Sequence, residues 1–191
     1  MRTVDEKTNA YLRLLERVER SDALDGVIGV VNPWARRLVA KEPVRRFLHG
    51  EATGIPVHIV AKDMPFGAWF MAQFLDCFPD EGTRRAATRL VGLGLVGAVP
   101  AAVTGWADWV ATGRGARRVG VVHAAANGVA TAAFAGSWVA RVNDRHRLGV
   151  GLARFGGVVL AAGGFLGGSL SRRRRAVDRR AARVVVGEHA D

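Results

Sequence analysis

The sequence predicts an all-α integral membrane protein: a four-helix bundle preceded by an amphipathic helical segment. Three observations predict it. Four apolar runs, at about 56–78, 90–111, 119–140 and 148–170, are each close to the ~20 residues that cross a ~30 Å hydrocarbon core. The 28 Lys and Arg and 17 Asp and Glu gather at the chain ends and between the runs, so a mean hydropathy of only +0.10 averages a polar head, an apolar middle and a basic tail. Small residues recur every four positions inside the runs, as Gly97, Ala101 and Gly105, as Gly128, Ala132 and Gly136, and as the offset pairs Gly163/Gly167 and Gly164/Gly168. That spacing lets helices approach closely in lipid. The chain therefore divides into an interfacial helical head (1–53), a four-span domain (54–170) and a basic tail (171–191).

In the head, Tyr11, Leu14, Leu15 and Val18 recur at helical spacing and predict an amphipathic helix over 4–20. Asn32-Pro33 reads as a cap followed by a first-turn proline, opening a helix to about Ala40. Pro43 opens a shorter one with Val44, Phe47 and Leu48 on one side. Trp34 and Phe47 among Arg36, Arg37, Lys41, Arg45 and Arg46 suit either a helix in the headgroup region or a cap packed on the spans. Span two contains one ionisable residue, Asp108, and span three only His123. A soluble surface helix needs a polar face, and neither run supplies one. Pro65 and Pro100 predict kinks in spans one and two. The connections hold the breakers Pro79-Asp80-Glu81-Gly82, Gly113-Arg114-Gly115 and Asn143-Asp144, and their shortness predicts antiparallel neighbours.

The net charge of +11 follows topology. The head, the loop between spans two and three, and the tail share one side. Twelve basic residues flank the spans there (Arg36, Arg37, Lys41, Arg45, Arg46, Arg114, Arg117, Arg118 and Arg172 to Arg175). The other side has six: Arg84, Arg85, Arg89, Arg141, Arg145 and Arg147. The excess places both termini in the cytoplasm of a multi-pass inner (plasma) membrane protein. The run Arg172 to Arg175 then reads as a stop and an anchor to anionic lipid, not as a nucleic-acid patch. The first twenty residues carry no apolar h-region, so no secretory signal is expected. Cys77 is the only cysteine, which excludes an intrachain disulfide and cysteine-held zinc or iron–sulfur centres; near the outer face it reads as a packing residue. No G-x-S-x-G or phosphate-binding glycine loop occurs, and the reading is non-enzymatic.

Five motifs in order carry a family resemblance. They are Gly54-Ile55-Pro56-Val57-His58-Ile59 with Asp63-Met64-Pro65-Phe66-Gly67, then Arg89 to Gly94, Pro100 to Trp109, Arg118 to Asn127, and Ala162 to Gly168. The chain resembles the bacterial membrane family called domain of unknown function 2231 over roughly residues 12–170. It departs where Ile55 and Ser169 stand in place of usual histidines and Ile59 in place of a proline. The resemblance implies a role beside redox partners in the membrane, because family members occur fused to or next to Rieske iron–sulfur domains.

The orientation places one group of polar residues at a common end. His58 and Asp63 open span one, Asp108 closes span two, His123 and Asn127 begin span three, and Ser169 ends span four. Intramembrane ionisable groups face the bundle interior and mark function by default. Three readings stand. His58 and His123 are axial ligands of a b-type haem between glycine-rich walls, with Asp63 or Asn127 orienting an imidazole. Or His58, Asp63, Asp108 and His123 form a proton-linked polar ligand pocket. Or the group is a satisfied network that holds the helix ends together, with Trp106 and Trp109 anchoring in the headgroups and Lys62 pairing with Asp63 or Asp108.

Overall fold

A computed structural model describes the backbone of residues 2–187 except 52, 53, 56 and 79, and the side chains of 11–168 with the same exceptions. Among these residues every regular element is a helix. The elements are α1 (Arg2–Glu19), a 3-10 turn (Asp22–Leu24), α2 (Asp25–Leu38), α3 (Glu42–Leu48), α4 (Val57–Ala61), α5 (Asp63–Leu75), α6 (Glu81–Val110), α7 (Arg114–Val142) and α8 (His146–Gly187). Among the described residues, three helices are long and apolar enough to cross a membrane: α6, α7 and α8 as far as Gly168, with mean hydropathies of 1.7, 1.3 and 1.6.

The stretch expected as span one is divided at Lys62 into α4 and α5. Pro65 is the cause: it has no N–H to give the Ala61 carbonyl, and its ring crowds the preceding turn. The break is slight. Lys62 keeps right-handed helical angles (φ −70°, ψ −24°). Its N–H reaches the His58 carbonyl at 3.1 Å, and the Phe66 N–H reaches the Lys62 carbonyl at 3.3 Å. At ~1.5 Å per residue, α4 and α5 together extend ~28 Å. Pro56, the expected start of this span, lies outside the described residues. Pro100, by contrast, sits inside an unbroken α6.

Antiparallel pairing follows from the short connections. Asp80 caps α6 by accepting the Thr83 N–H at 2.9 Å. The α7–α8 turn closes with Asp144 in the left-handed region (φ 58°) and the Arg145 N–H on the Ala140 carbonyl at 2.9 Å, tying off α7's last carbonyls. Helix α5 packs on α6 and α8, and α7 on α6 and α8. The shared core takes residues from all four: Trp69 and Ala72, Ala87 and Val91, Phe134, and Ala153. Trp69 stacks on Phe134 with centroids 4.1 Å apart and donates its indole N–H to the Val91 carbonyl at 3.2 Å. Only 28%, 33% and 22% of the apolar stretches of α6, α7 and α8 are buried, so most of their apolar surface, including Val96, Val99, Val129 and Val158, faces outward. That is the pattern of helices solvated by lipid.

The regularly spaced glycines mostly receive side chains rather than neighbouring backbones. A Cβ at Gly94 would fall inside the Trp69 indole, and one at Gly120 inside that of Trp109. Gly105 and Gly167 similarly accommodate the His58 and His123 rings. Gly128, Gly164 and Gly168 have nothing within 4 Å.

The head folds onto one end of the spans. Leu24, Ile28, Val31 and Ala35 of the turn and α2 pack against Trp106, Trp109, Val110 and Val121. The two tryptophans therefore support the head rather than anchoring freely in headgroups. This packing also explains why α2 begins at Asp25 and runs through Asn32-Pro33 instead of starting there: burial of its apolar face outweighs the one hydrogen bond lost at Pro33. Pro43 lies in the first turn of α3, as expected. Arg118 clamps the contact, with Nε on Asp25 Oδ1 at 2.8 Å, Nη1 on the Glu19 carbonyl at 2.8 Å and Nη2 on both Asp25 and Asp22. These bonds, with Arg114 on Asp25, hold the Asp25 carboxyl well below the usual carboxylate range. Arg117 turns back to the Thr112 and Val110 carbonyls at the C-terminus of α6. On the outer side of the head Val30, Trp34 and Phe47 remain 70%, 66% and 59% exposed, with the Arg37 guanidinium 4.5 Å over the Trp34 ring. Helix α8 passes residue 170 without a break.

Candidate functional site

Half-buried His58, on α4, faces α6. Its Nδ1 lies 3.0 Å from the Ala101 carbonyl and 3.2 Å from Thr104 Oγ1. A carbonyl can only accept, so Nδ1 carries the proton, and in the neutral ring Nε2 holds the lone pair. The Thr104 hydroxyl spends its own proton on the Pro100 carbonyl at 2.7 Å, which leaves its oxygen to accept. His123, on α7, repeats the arrangement toward α8: Nδ1–H donates to the Gly163 carbonyl at 2.8 Å. Its Nε2 accepts from the Asn127 amide at 2.9 Å, one turn along the same helix. The closeness needed for these bonds comes from Gly105 and Gly167, where a Cβ would lie 3.0 Å from His58 Cε1 and 2.8 Å from His123 Cε1.

The predicted group is brought together only in part. His58 lies within electrostatic reach of Asp108, His123 and Lys62, so these residues share one end of the molecule. Asn127 joins His123 directly. Asp63 does not join: it is exposed and paired with Lys62 at 2.7 Å. The side chain of Ser169 lies outside the described residues. His49, which sequence reasoning passed over, adds a third imidazole-to-carbonyl contact, Nε2 to Ala107 at 3.4 Å. Only its position directly before Gly50 could have marked it.

The residues present fit haem poorly. Donation of Nδ1–H to a carbonyl is how a metal-bound histidine is usually held. However, the His123 lone pair is already on Asn127, and the glycine recesses expected to admit a porphyrin contain the imidazoles themselves.

At the opposite end sits a group that the sequence reading missed. Arg141 makes a bidentate pair with Asp76, Nη1–Oδ1 at 2.7 Å and Nη2–Oδ2 at 2.5 Å, with the two side chains 0% and 1% exposed. Arg141 Nε donates to Ser137 Oγ at 3.1 Å, and Ser137 donates to the Gly149 carbonyl at 2.6 Å. The charge count places Arg141 in a loop; it is instead an internal residue joining α5, α7 and α8. The signal was available. Asp76 extends the buried stripe Trp69, Ala72, and Arg141 extends Phe134, Ser137, each at helical spacing. Cys77, expected near the outer face as a packing residue, is exposed, with Sγ 3.7 Å from the Gln73 carbonyl.

An all-helical chain with three outward-apolar, membrane-length helices is a multi-pass membrane protein. The family described as "Predicted membrane protein (DUF2231)" matches residues 54–179, and the chain belongs to that family. A search of curated proteins and one of solved structures each found no match.

Proposed function

We propose that the protein is a non-enzymatic, four-span accessory module of the inner membrane, in which His58 and His123 act as hydrogen-bonding clamps between neighbouring helices. One observation carries this reading: both imidazoles give Nδ1–H to a carbonyl of the facing helix, and His123 uses its remaining nitrogen on Asn127. With both ring nitrogens engaged, His123 has no lone pair left for a metal. The jointed α4–α5 rod supplies the fourth span, and its ~28 Å reach approaches the ~30 Å of a hydrocarbon core. Both termini then lie in the cytoplasm. The exposed Trp34, Phe47 and Val30 of the head, with Arg36 and Arg37, rest in the headgroup region, and Arg172 to Arg175 contact anionic lipid. The partner that the family resemblance implies is a membrane redox protein, which the module would hold without carrying electrons.

A reduced-minus-oxidised spectrum of detergent-purified protein, expressed with ample haem, tests this reading. We expect no haem band. A haem band abolished by His123→Ala would replace this reading with electron transfer.

A further inference from the structure

We infer that the end opposite the head carries a binding site for a phosphate group. An open cleft of about 350 Å³ lies between the end of α5, the start of α6 and the start of α8. It is lined by Arg84, Arg147, Arg154 and His146, with Phe78 and Val150 as its apolar wall. Asp76 is the acidic residue on its lining, and that charge is already matched by Arg141 through two short bonds. Among the described residues, no hydrogen bond or ion pair engages the guanidinium of Arg84, Arg147 or Arg154, whereas nearby Arg85 is held by Glu81. Three uncompensated guanidiniums therefore share one concavity.

Their placement is ordered. Arg147, Gly151 and Arg154 follow one another at i, i+4 and i+7 along one face of α8, with Gly151 keeping the face low between the two arginines. Arg154 sits ~10 Å further along the helix than Arg147, on the apolar part of α8. A guanidinium at that depth is costly in lipid unless it reaches a polar partner, and the cleft gives it a route back to the surface. The first turn of α8, beginning at His146, adds the positive end of a helix dipole. Guanidinium groups bind phosphate oxygens in forked, charge-assisted pairs, so phosphate matches both the charge and the geometry. Exposed Phe74 meets the lining Phe78 edge to face at 5.4 Å, and exposed Phe155 and Val158 follow Arg154 along α8. A phospholipid headgroup in the cleft would lay its acyl chains on these residues; free phosphate would use the cleft alone.

The test is native mass spectrometry of the detergent-purified full chain with equal amounts of phosphatidylglycerol and phosphatidylcholine, alongside thermal melting with millimolar inorganic phosphate. Wild type should retain phosphatidylglycerol preferentially. The Arg84→Gln/Arg147→Gln/Arg154→Gln variant should lose about tenfold of that retention, as expected for several charge-assisted bonds. A variant with Arg172 to Arg175 all changed to Gln should keep the preference, which separates the cleft from the basic tail. Should the triple variant fold poorly by circular dichroism, Arg154→Gln alone should lose about threefold. A melting rise with inorganic phosphate, absent in the cleft variant, and no phosphatidylglycerol preference would make free phosphate the ligand. Equal retention of both lipids by wild type, or a preference unchanged in the cleft variants, together with no phosphate response, would overturn the site.

Discussion

The two ends of the spans are held together by different chemistry. At the head-covered end, imidazoles from α4 and α7 bond to backbone carbonyls of α6 and α8. At the far end, a guanidinium and a carboxylate from α7 and α5 meet face to face, with Ser137 tying them to α8. A helix carbonyl retains a second lone pair after its own helical bond, so an imidazole can find an acceptor at many positions and sets depth only loosely. A bidentate guanidinium–carboxylate pair fixes a distance and a plane, and the low dielectric around it makes misplacement expensive. The far end, which no head covers, thus has the stricter lock. The head-covered end is the one that carries the polar cluster.

The contrast can be broken most directly at the ion pair. Arg141→Gln or Asp76→Asn should each cost about 3–5 kcal/mol in detergent unfolding followed by tryptophan fluorescence, because either leaves a buried charge without its partner. Replacing both by Met and Leu should recover most of that loss; an unchanged midpoint in the single variants would remove the lock from the far end. Gly149→Ala should cost about 1–3 kcal/mol, since its Cβ would lie 2.6 Å from Arg141 Cγ and 3.0 Å from the Ser137 carbonyl oxygen. At the other end, Asn127→Ala should cost only about 1 kcal/mol by the same assay, the usual net worth of one hydrogen bond. A loss as large as that of Arg141→Gln would erase the distinction between the ends.

The smallest expected effect concerns pH and the head. The folded Asp25 carboxyl is held below its ordinary range by Arg118 and then Arg114. Its contribution is therefore fully present above an ordinary aspartate value of about 3.9 and fades as pH falls further. Protease cleavage between α2 and α3 should be constant from neutral to mildly acidic pH and increase only below about pH 4. In Asp25→Asn it should already be raised at neutral pH. An acid-independent cleavage rate would detach the head from this contact.

Much of this fold could be read before any tertiary contact was known. The apolar runs became α6, α7 and α8, Pro65 marked the joint between α4 and α5, and Asp80 and Asn143-Asp144 marked the turns. His58 and His123 were also legible, because ionisable groups in apolar runs are conspicuous. Asp76 and Arg141 were not recognised. They sit near the ends of their helices, where a charge is unremarkable, and only the stripe each shares with Trp69 or Phe134 reveals that it points inward. Asn32-Pro33 misled for a related reason, since its capping signal is local and the packing of α2 on Trp106 and Trp109 is not.

By itself, then, the sequence determined helix class, approximate helix limits, the order of antiparallel neighbours and the membrane family. Tertiary structure alone decided that Asp63 turns outward to Lys62 while Asp76 turns inward to Arg141, that the glycines receive His58 and His123, and that the head covers one end. The reason is physical. Periodicity specifies which residues share a helix face, but each helix can still rotate about its axis and slide along its neighbour. Those two freedoms are settled only when rings fill glycine recesses and buried charges find their partners.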